Sequence, residues 1–294
     1  MSQKRRVPRG LPEQISGDAT VVMGILNVTP DSFSDGGQHA TEETAIAHGR
    51  ALTAQGAGII DVGGESTRPG AQRVDAAEEM RRVIPVVRAL SAEGIAVSVD
   101  TMRAQVAEAS IEAGALIIND VSGGAADPAM GTTAARLRTR LGFPPVMVAM
   151  HWRGHSDVMN DLTDYADPAR DSARELAERL DALREAGVED DFLVADPGLG
   201  FSKTGEQNWQ ILADWEAMDA HGLPLLIGAS RKRFVAALGV DRDQATAAIS
   251  AYSAQQGAWA VRVHEVPSSV AAVMVGDALR RHRRPDTSPV EQGR

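Results

Sequence analysis

Short apolar runs punctuate the chain, each ending on or beside a polar residue and each followed by a segment of helical periodicity. Eight such runs predict strands: Thr20–Asn27, Gly58–Val62, Ile95–Val99, Ala115–Ile118, Pro145–Met150, Phe192–Ala195, Leu223–Ile227 and Ala258–His264. The intervening pattern predicts helices over Thr41–Gln55, with Thr41 as N-cap, and over 75–92, 102–113, 128–140, 167–186, 206–220, 231–238, 243–257 and 267–282. Unbroken apolar runs alternating with helices belong to parallel strands covered on both faces. Eight of them in one chain predict a single (β/α)8 TIM barrel of the α/β class; a doubly wound open sheet is the alternative. The barrel domain is expected over 19–284, between a flexible N-terminal arm at 1–18 and a disordered polar tail at 285–294. The turn-rich segments 28–37 and 63–73, after the first two strands, predict long mobile loops.

Polar residues collect at one end of these strands. Asn27, Asp61, Asp100, Asn119, Asp196, Ser230, Arg262 and His264 all lie at or just past C-terminal strand ends. In a barrel the loops that follow the strands converge on that face, so an active site is expected there. Gly228–Phe234 carries the most charge: a strand stops, the backbone turns on Gly228, and Ser230, Arg231, Lys232 and Arg233 follow at a helical turn. Backbone N–H groups and fixed cations suit phosphate or diphosphate, whereas cations at a helix N-terminus otherwise oppose its dipole. Arg262 and His264, two residues apart on the last strand, face one side and offer a second place for an anion. The plain alternatives are solvated basic residues, one salt-bridged arginine and a capped histidine.

Asp100, Asn119 and Asp196 would project into one mouth if the barrel closes. Two carboxylates and an amide match the N–H and C=O edge of a flat heterocycle. Taken singly, each also reads as a helix cap or turn former. The carboxylates fit a metal site or an acid/base pair as well. No histidine-rich spacing accompanies them, which argues against zinc and leaves magnesium shared with a substrate's phosphates open. His48, His155 and His221 read as surface or packing residues, and Trp209, Trp215 and Trp259 as core.

Composition narrows the partners. The 294 residues carry a formal net charge of −10, and the sequence pI is near 5.2, which argues against non-specific binding to nucleic acid or to an anionic membrane. The absence of cysteine excludes disulfides, thiolate metal sites and cysteine nucleophiles. No apolar run reaches the roughly 18 residues of a membrane span, and the basic N-terminus lacks an apolar stretch behind it. A cytoplasmic enzyme acting on small molecules is the expectation.

Several motifs together resemble the dihydropteroate synthase family, almost throughout 21–277. They are Gly24–Gly37, Asp61–Gly70, Ser98–Val99–Asp100–Thr101, Ile118–Gly124, Asp196–Pro197–Gly198–Leu199–Gly200–Phe201, Gly228–Phe234 and Arg262–Val263–His264. The resemblance implies a TIM-barrel transferase that joins 4-aminobenzoate to (7,8-dihydropterin-6-yl)methyl diphosphate. It implies that Asp100, Asn119 and Asp196 hold the pterin, with Met150, Phe201, Gly228 and Lys232 lining that pocket. It places Phe33, Thr67, Arg68, Pro69, Ser230 and Lys232 at the aminobenzoate. Asn27, Thr67, Arg262 and His264 surround the diphosphate, Asn27 contacts Mg2+, and Asp35 belongs to the mobile first loop. Asp100, Lys232, Arg262, His264 and Asp35 are then the catalytic set, in a dissociative reaction within a homodimer. Gly228–Phe234 becomes a junction between two substrates, with Arg231 and Arg233 unassigned. The rivals are a corrinoid-linked pterin methyltransferase, a non-catalytic pterin-binding relative and an unrelated sugar-phosphate barrel.

Overall fold

The computed structural model describes residues 5–29, 37–65, 74–155 and 158–283. Its strands are β1 (Val21–Asn27), β2 (Ile59–Gly63), β3 (Val97–Asp100), β4 (Ile117–Asp120), β5 (Val146–Met150), β6 (Leu193–Asp196), β7 (Leu226–Ile227) and β8 (Ala260–Val263). Neighbours pair in parallel in the order β6-β5-β4-β3-β2-β1-β8-β7. A parallel bridge between Ala195 and Leu225 joins the two ends, with the Ala195 N–H donating to Pro224 O at 2.9 Å. The sheet is therefore a nearly closed TIM barrel, as the eight-fold alternation predicts.

Among the described residues ten α-helices surround it: α1 (Gly37–Ala54), α2 (Ala76–Ala92), α3 (Ala104–Glu112), α4 (Met130–Arg136), α5 (Pro168–Glu185), α6 (Gly205–Ala213), α7 (Trp215–Asp219), α8 (Arg233–Ala236), α9 (Arg242–Gln256) and α10 (Val266–His282). Among the described residues, no helix is long and apolar enough to cross a membrane. The expected helix over 206–220 divides because Asp214 leaves helical geometry (φ −93°, ψ 70°) and its side chain accepts the Ala217 N–H, starting α7. α4 stops at Arg136, short of the expected 140, where Leu137 turns extended and Thr139 pairs its N–H with Phe143 O at 2.8 Å.

Strand alternation sorts the core. Val21, Met23, Ile59, Ile117, Val146, Val148, Val194, Leu226 and Ala260 fill the barrel interior with the fully buried Trp259. Val22, Leu26, Ile60, Val62, Ile118, Met147 and Val261 face outward to the helices. The same period of two carries the inner face on to the C-terminal mouth. Ile59 is followed two residues on by Asp61, Ile117 by Asn119, Val194 by Asp196 and Ala260 by Arg262. An apolar interior thus ends in a polar layer.

Residues 5–18 differ from the loose arm expected of them. Ile15 is buried against the lower end of the interior, with Val7 and Leu11 packed beside it and a 3-10 turn over Glu13–Ile15. Arg5 is buried and donates to Asp277 Oδ1 at 2.6 Å and to Ala254 O at 3.2 Å. Arg6 pairs with Asp219 at 2.5 Å and Arg9 with Asp191 at 2.8 Å. An apolar barrel floor has to be covered, and the basic residues of this segment find acidic partners on the helices around it. Residues 1–4 and 284–294 lie outside the described residues.

Candidate active site

The mouth is organised around Arg262. Its Nε donates to Asp61 Oδ2 at 2.6 Å and its Nη2 to Asp100 Oδ2 at 2.6 Å, while Asn119 Nδ2 donates to the same Asp61 oxygen at 3.0 Å. Strand register brings these groups together: Asp61 stands beside Ser98, Gly63 beside Asp100, and Asp100 beside Asn119. Asp61 is fully buried and Asp100 nearly so. Burial raises the Asp100 carboxyl to about 7, against the pull of Arg262 and with a further push from Asp61. Burial lowers Arg262, but the two carboxylates more than offset it and hold the guanidinium above its usual range.

Two of the readings given to single motifs now separate. Asp100 is not a helix cap, since α3 starts at Ala104 with Arg103 in the N-cap position, and the Ala104 N–H is taken by Asp127 Oδ2 at 2.8 Å. Of the neighbours Asn119 and Asp120, the first faces the mouth and the second makes the turn. Asp120 accepts from Ser122 N–H and Oγ–H, both at 2.7 Å, and from Gly124 N–H at 2.9 Å. Asp196 does both jobs: it ends β6 at the mouth, and its Oδ1 accepts the Gly198 N–H at 2.8 Å. Burial raises its carboxyl, with Lys232 opposing.

The far side is built by the ends of β6, β7 and β8. An added Cβ at Gly228 would lie 3.8 Å from Asp196 Oδ2, 3.9 Å from Lys232 Nζ and 4.0 Å from Arg262 Cβ, so this glycine sits where the three charged groups meet. Lys232 Nζ lies 4.7 Å from the Phe201 ring centroid and donates to Leu199 O. Burial brings its ammonium down to about 8, with Asp196 opposing. Met150, buried at the end of β5, is in register with Asp196. Ser230 Oγ lies 3.0 Å from His264 Nδ1 and accepts the His264 backbone N–H at 3.1 Å. With that hydroxyl donating to Nδ1, the proton of the neutral ring belongs on Nε2. Asn27, partly exposed, ends β1 beside Gly63.

Arg231, unassigned in the sequence, has left-handed φ of 57° and makes a two-point ion pair with Asp243, both contacts at 2.8 Å. Phe33, Asp35, Thr67, Arg68 and Pro69 lie outside the described residues.

Sequence reasoning gave no role to Lys203, His151 and Glu175, which form a linked group just behind the mouth, the first two buried and Glu175 half-buried. Lys203 Nζ reaches His151 Nδ1 at 2.8 Å, Gly198 O at 3.0 Å and Phe201 O at 3.1 Å. His151 Nε2 meets Glu175 Oε2 at 3.0 Å, and Arg153 holds the same carboxylate through two bonds of 2.6 and 2.8 Å. Burial, with Lys203 adding to it, lowers His151 to about 4 and keeps it neutral. Hydrogen bonds from Arg153 and then His151 hold Glu175 well below the usual carboxylate range. Burial, helped by Lys232, pushes Lys203 down to about 7. One signal was available: the chain has only Lys4, Lys203 and Lys232 as lysines, and two of the three stand at this mouth.

The family model described as "Pterin binding enzyme" matches residues 23–264. The dihydropteroate synthase of Mycobacterium leprae is 48% identical over 265 residues, covering 86% of this chain and 91% of that protein. The dihydropteroate synthase of Xanthomonas albilineans, solved with 4-aminobenzoic acid, gives a TM-score of 0.80 at 42% identity over 90% of this chain and 94% of that one. The same enzyme solved in complex with 7,8-dihydropteroate gives 0.78 at 39% identity, over 90% and 94%. Identity of this extent over most of both chains, with the family match over residues 23–264, sets aside the sugar-phosphate barrel and the corrinoid-linked methyltransferase. The chain belongs to the dihydropteroate synthase family.

Proposed function

We propose that the mouth joins 4-aminobenzoate to (7,8-dihydropterin-6-yl)methyl diphosphate, giving 7,8-dihydropteroate and pyrophosphate, as in folate biosynthesis. The observation that carries this reading is the buried layer of Asp61, Arg262, Asp100 and Asn119, with Asp196 across from it. Asp100, Asn119 and Asp196 offer acceptors and an amide to the edge of the pterin, and Met150, Phe201, Gly228 and Lys232 line its pocket. The reaction is dissociative. The bond between the C6 methylene and the diphosphate oxygen breaks first, its electron pair leaving with pyrophosphate. The aminobenzoate nitrogen then attacks the pterin methylene cation and loses a proton to solvent. Carboxylate charge at Asp100 and Asp196 stabilises the cation, and Arg262 and His264 stabilise the leaving anion. No side-chain nucleophile is needed, because a neutral aniline nitrogen is itself nucleophilic.

Magnesium prefers oxygen ligands and keeps several waters. The amide oxygen of Asn27 suits one position of such a shell, and among the described residues no cluster of three His, Asp or Glu side chains forms a closed cage. That donor set fits an ion carried in with the diphosphate, which Asn27 would help to hold. When bound, such an ion neutralises charge on the leaving group. Ser230, through His264, connects the aminobenzoate side to the diphosphate side. The deciding assay is pyrophosphate release, which is expected to require both the pterin diphosphate and 4-aminobenzoate. Release that ignores the arylamine would contradict a transferase.

We assign the assembly to a homodimer. Met274, Val275 and Leu279 on α10 are 65%, 57% and 52% exposed, with Leu238 and Val240 at 51% and 58% between α8 and α9. Apolar side chains this exposed suit a second copy as cover. Sedimentation velocity is expected to give a dimer for the unaltered chain and a monomer for Met274→Glu/Leu279→Glu; a monomeric unaltered chain would rule the assignment out.

A further inference from the structure

The loop that follows β6, residues 197–202, is wrapped around two ammonium groups. Its carbonyls at Gly198 and Phe201 accept from Lys203, and its carbonyl at Leu199 accepts from Lys232. The loop can take this path only because two positions are glycine. At Gly198 (φ 67°) a Cβ would stand 2.3 Å from His151 O, and at Gly200 (φ 77°) one would stand 2.6 Å from Lys232 Cδ. Lys203 lies at the end of the loop, 8% exposed, with its third hydrogen directed at His151 Nδ1. An ammonium has three donors at tetrahedral angles, and here three acceptors meet them; a planar guanidinium does not match that arrangement. Behind it, Glu175 fixes the His151 tautomer by taking the Nε2–H, and Arg153 anchors Glu175.

An apolar side chain would cover this loop without the desolvation cost of a buried cation, so the lysine needs a reason. What it holds supplies one. The loop begins at Asp196, whose Oδ1 accepts from Gly198 N–H and whose backbone carbonyl accepts from His151 N–H at 2.9 Å. It includes the Phe201 ring beside Lys232. We propose that Lys203 is a positioning residue for pterin binding: by gathering the Gly198 and Phe201 carbonyls it fixes the orientation of the Asp196 carboxylate and the Phe201 ring. This rests on the reading that Asp196 and Phe201 contact the pterin.

The test titrates 6-hydroxymethylpterin into the purified full chain by calorimetry, with thermal unfolding and the KM for 4-aminobenzoate measured on the same preparations. Lys203→Met is expected to weaken pterin binding roughly ten- to a hundred-fold, since Phe201 O loses its donor and Gly198 O keeps only the Phe201 N–H. The KM for 4-aminobenzoate is expected to stay within about two-fold, and Lys203→Arg is expected not to rescue binding. His151→Leu, which removes one acceptor and leaves the lysine, is the second variant and should weaken the pterin by a smaller factor. Pterin affinity unchanged in a folded Lys203→Met or His151→Leu protein overturns the proposal. So does a loss shared equally by pterin and aminobenzoate, which would mark a purely structural lysine. Asp196→Ala runs alongside: if it leaves pterin affinity intact, the reading beneath the proposal fails, and the proposal with it.

Discussion

Replacing Asp100 by asparagine is expected to lower kcat by about 10²–10³-fold while leaving the protein folded. Asparagine has the shape of the carboxylate and keeps an acceptor toward Arg262 Nη2, which now stands 2.6 Å from Asp100 Oδ2. What it removes is negative charge in a buried site, where charge acts with little screening. A reaction that passes through a pterin methylene cation needs that charge in the transition state more than in the bound substrate, so the loss belongs in kcat. The same carboxyl sets a pH signature. Burial raises it to about 7 in the free enzyme, and only its ionised form stabilises a cation. As pH falls below that value, kcat/KM of the unaltered chain should fall about ten-fold per unit from this group. Asp100→Asn should lack that limb. Substrate titration is common to both proteins, so the ratio of their profiles isolates Asp100. Pyrophosphate release followed from pH 5 to 9 measures both effects. Equal kcat in the two proteins would remove Asp100 from the mechanism.

The barrel was legible because buried parallel strands write themselves as unbroken apolar runs, and because the inner face of each strand continues into its polar end. That is how Asp100, Asn119, Asp196 and Arg262 were found from the chain alone. Their pairing was not legible. Arg262 looked like a diphosphate ligand, yet two of its donors are committed to Asp61 and Asp100, partners that barrel closure brings from 201 and 162 residues away. Asp61 reads from the chain as a strand end without a role, because its partner Arg262 lies 201 residues further on. Lys203 was missed for another reason: two of its three partners are backbone carbonyls, and no side-chain pattern encodes which carbonyls a loop turns inward. The N-terminal segment failed similarly, since the aspartate that buries Arg5 stands 272 residues further on.

The pairing of Arg262 makes it the residue whose loss should do the most damage. In Arg262→Met, Asp61 and Asp100 remain buried without their cation. Breaking a buried ion pair from one side costs about 3–5 kcal/mol, because the abandoned charge has no water to return to. In a chain of this size that corresponds to a fall in Tm of about 10 °C. Arg262→Lys should recover only part of it. A lysine has a single point of charge, whereas the guanidinium meets Asp61 through Nε and Asp100 through Nη2 at once. Activity should fall by more than about 10²-fold in Arg262→Met, since charge on the diphosphate side and the ionisation of Asp100 are lost together, and by a smaller factor in Arg262→Lys, which keeps a cation. A double variant separates the two effects. Asp61→Asn in the Arg262→Met background removes one stranded carboxylate and leaves an amide that can still pair with Asn119. It should restore part of the Tm and none of the turnover. If the double variant regained both, the guanidinium would be only a structural counter-ion for Asp61. If Arg262→Met kept its Tm, the ion-pair layer would not be what holds the mouth of the barrel together.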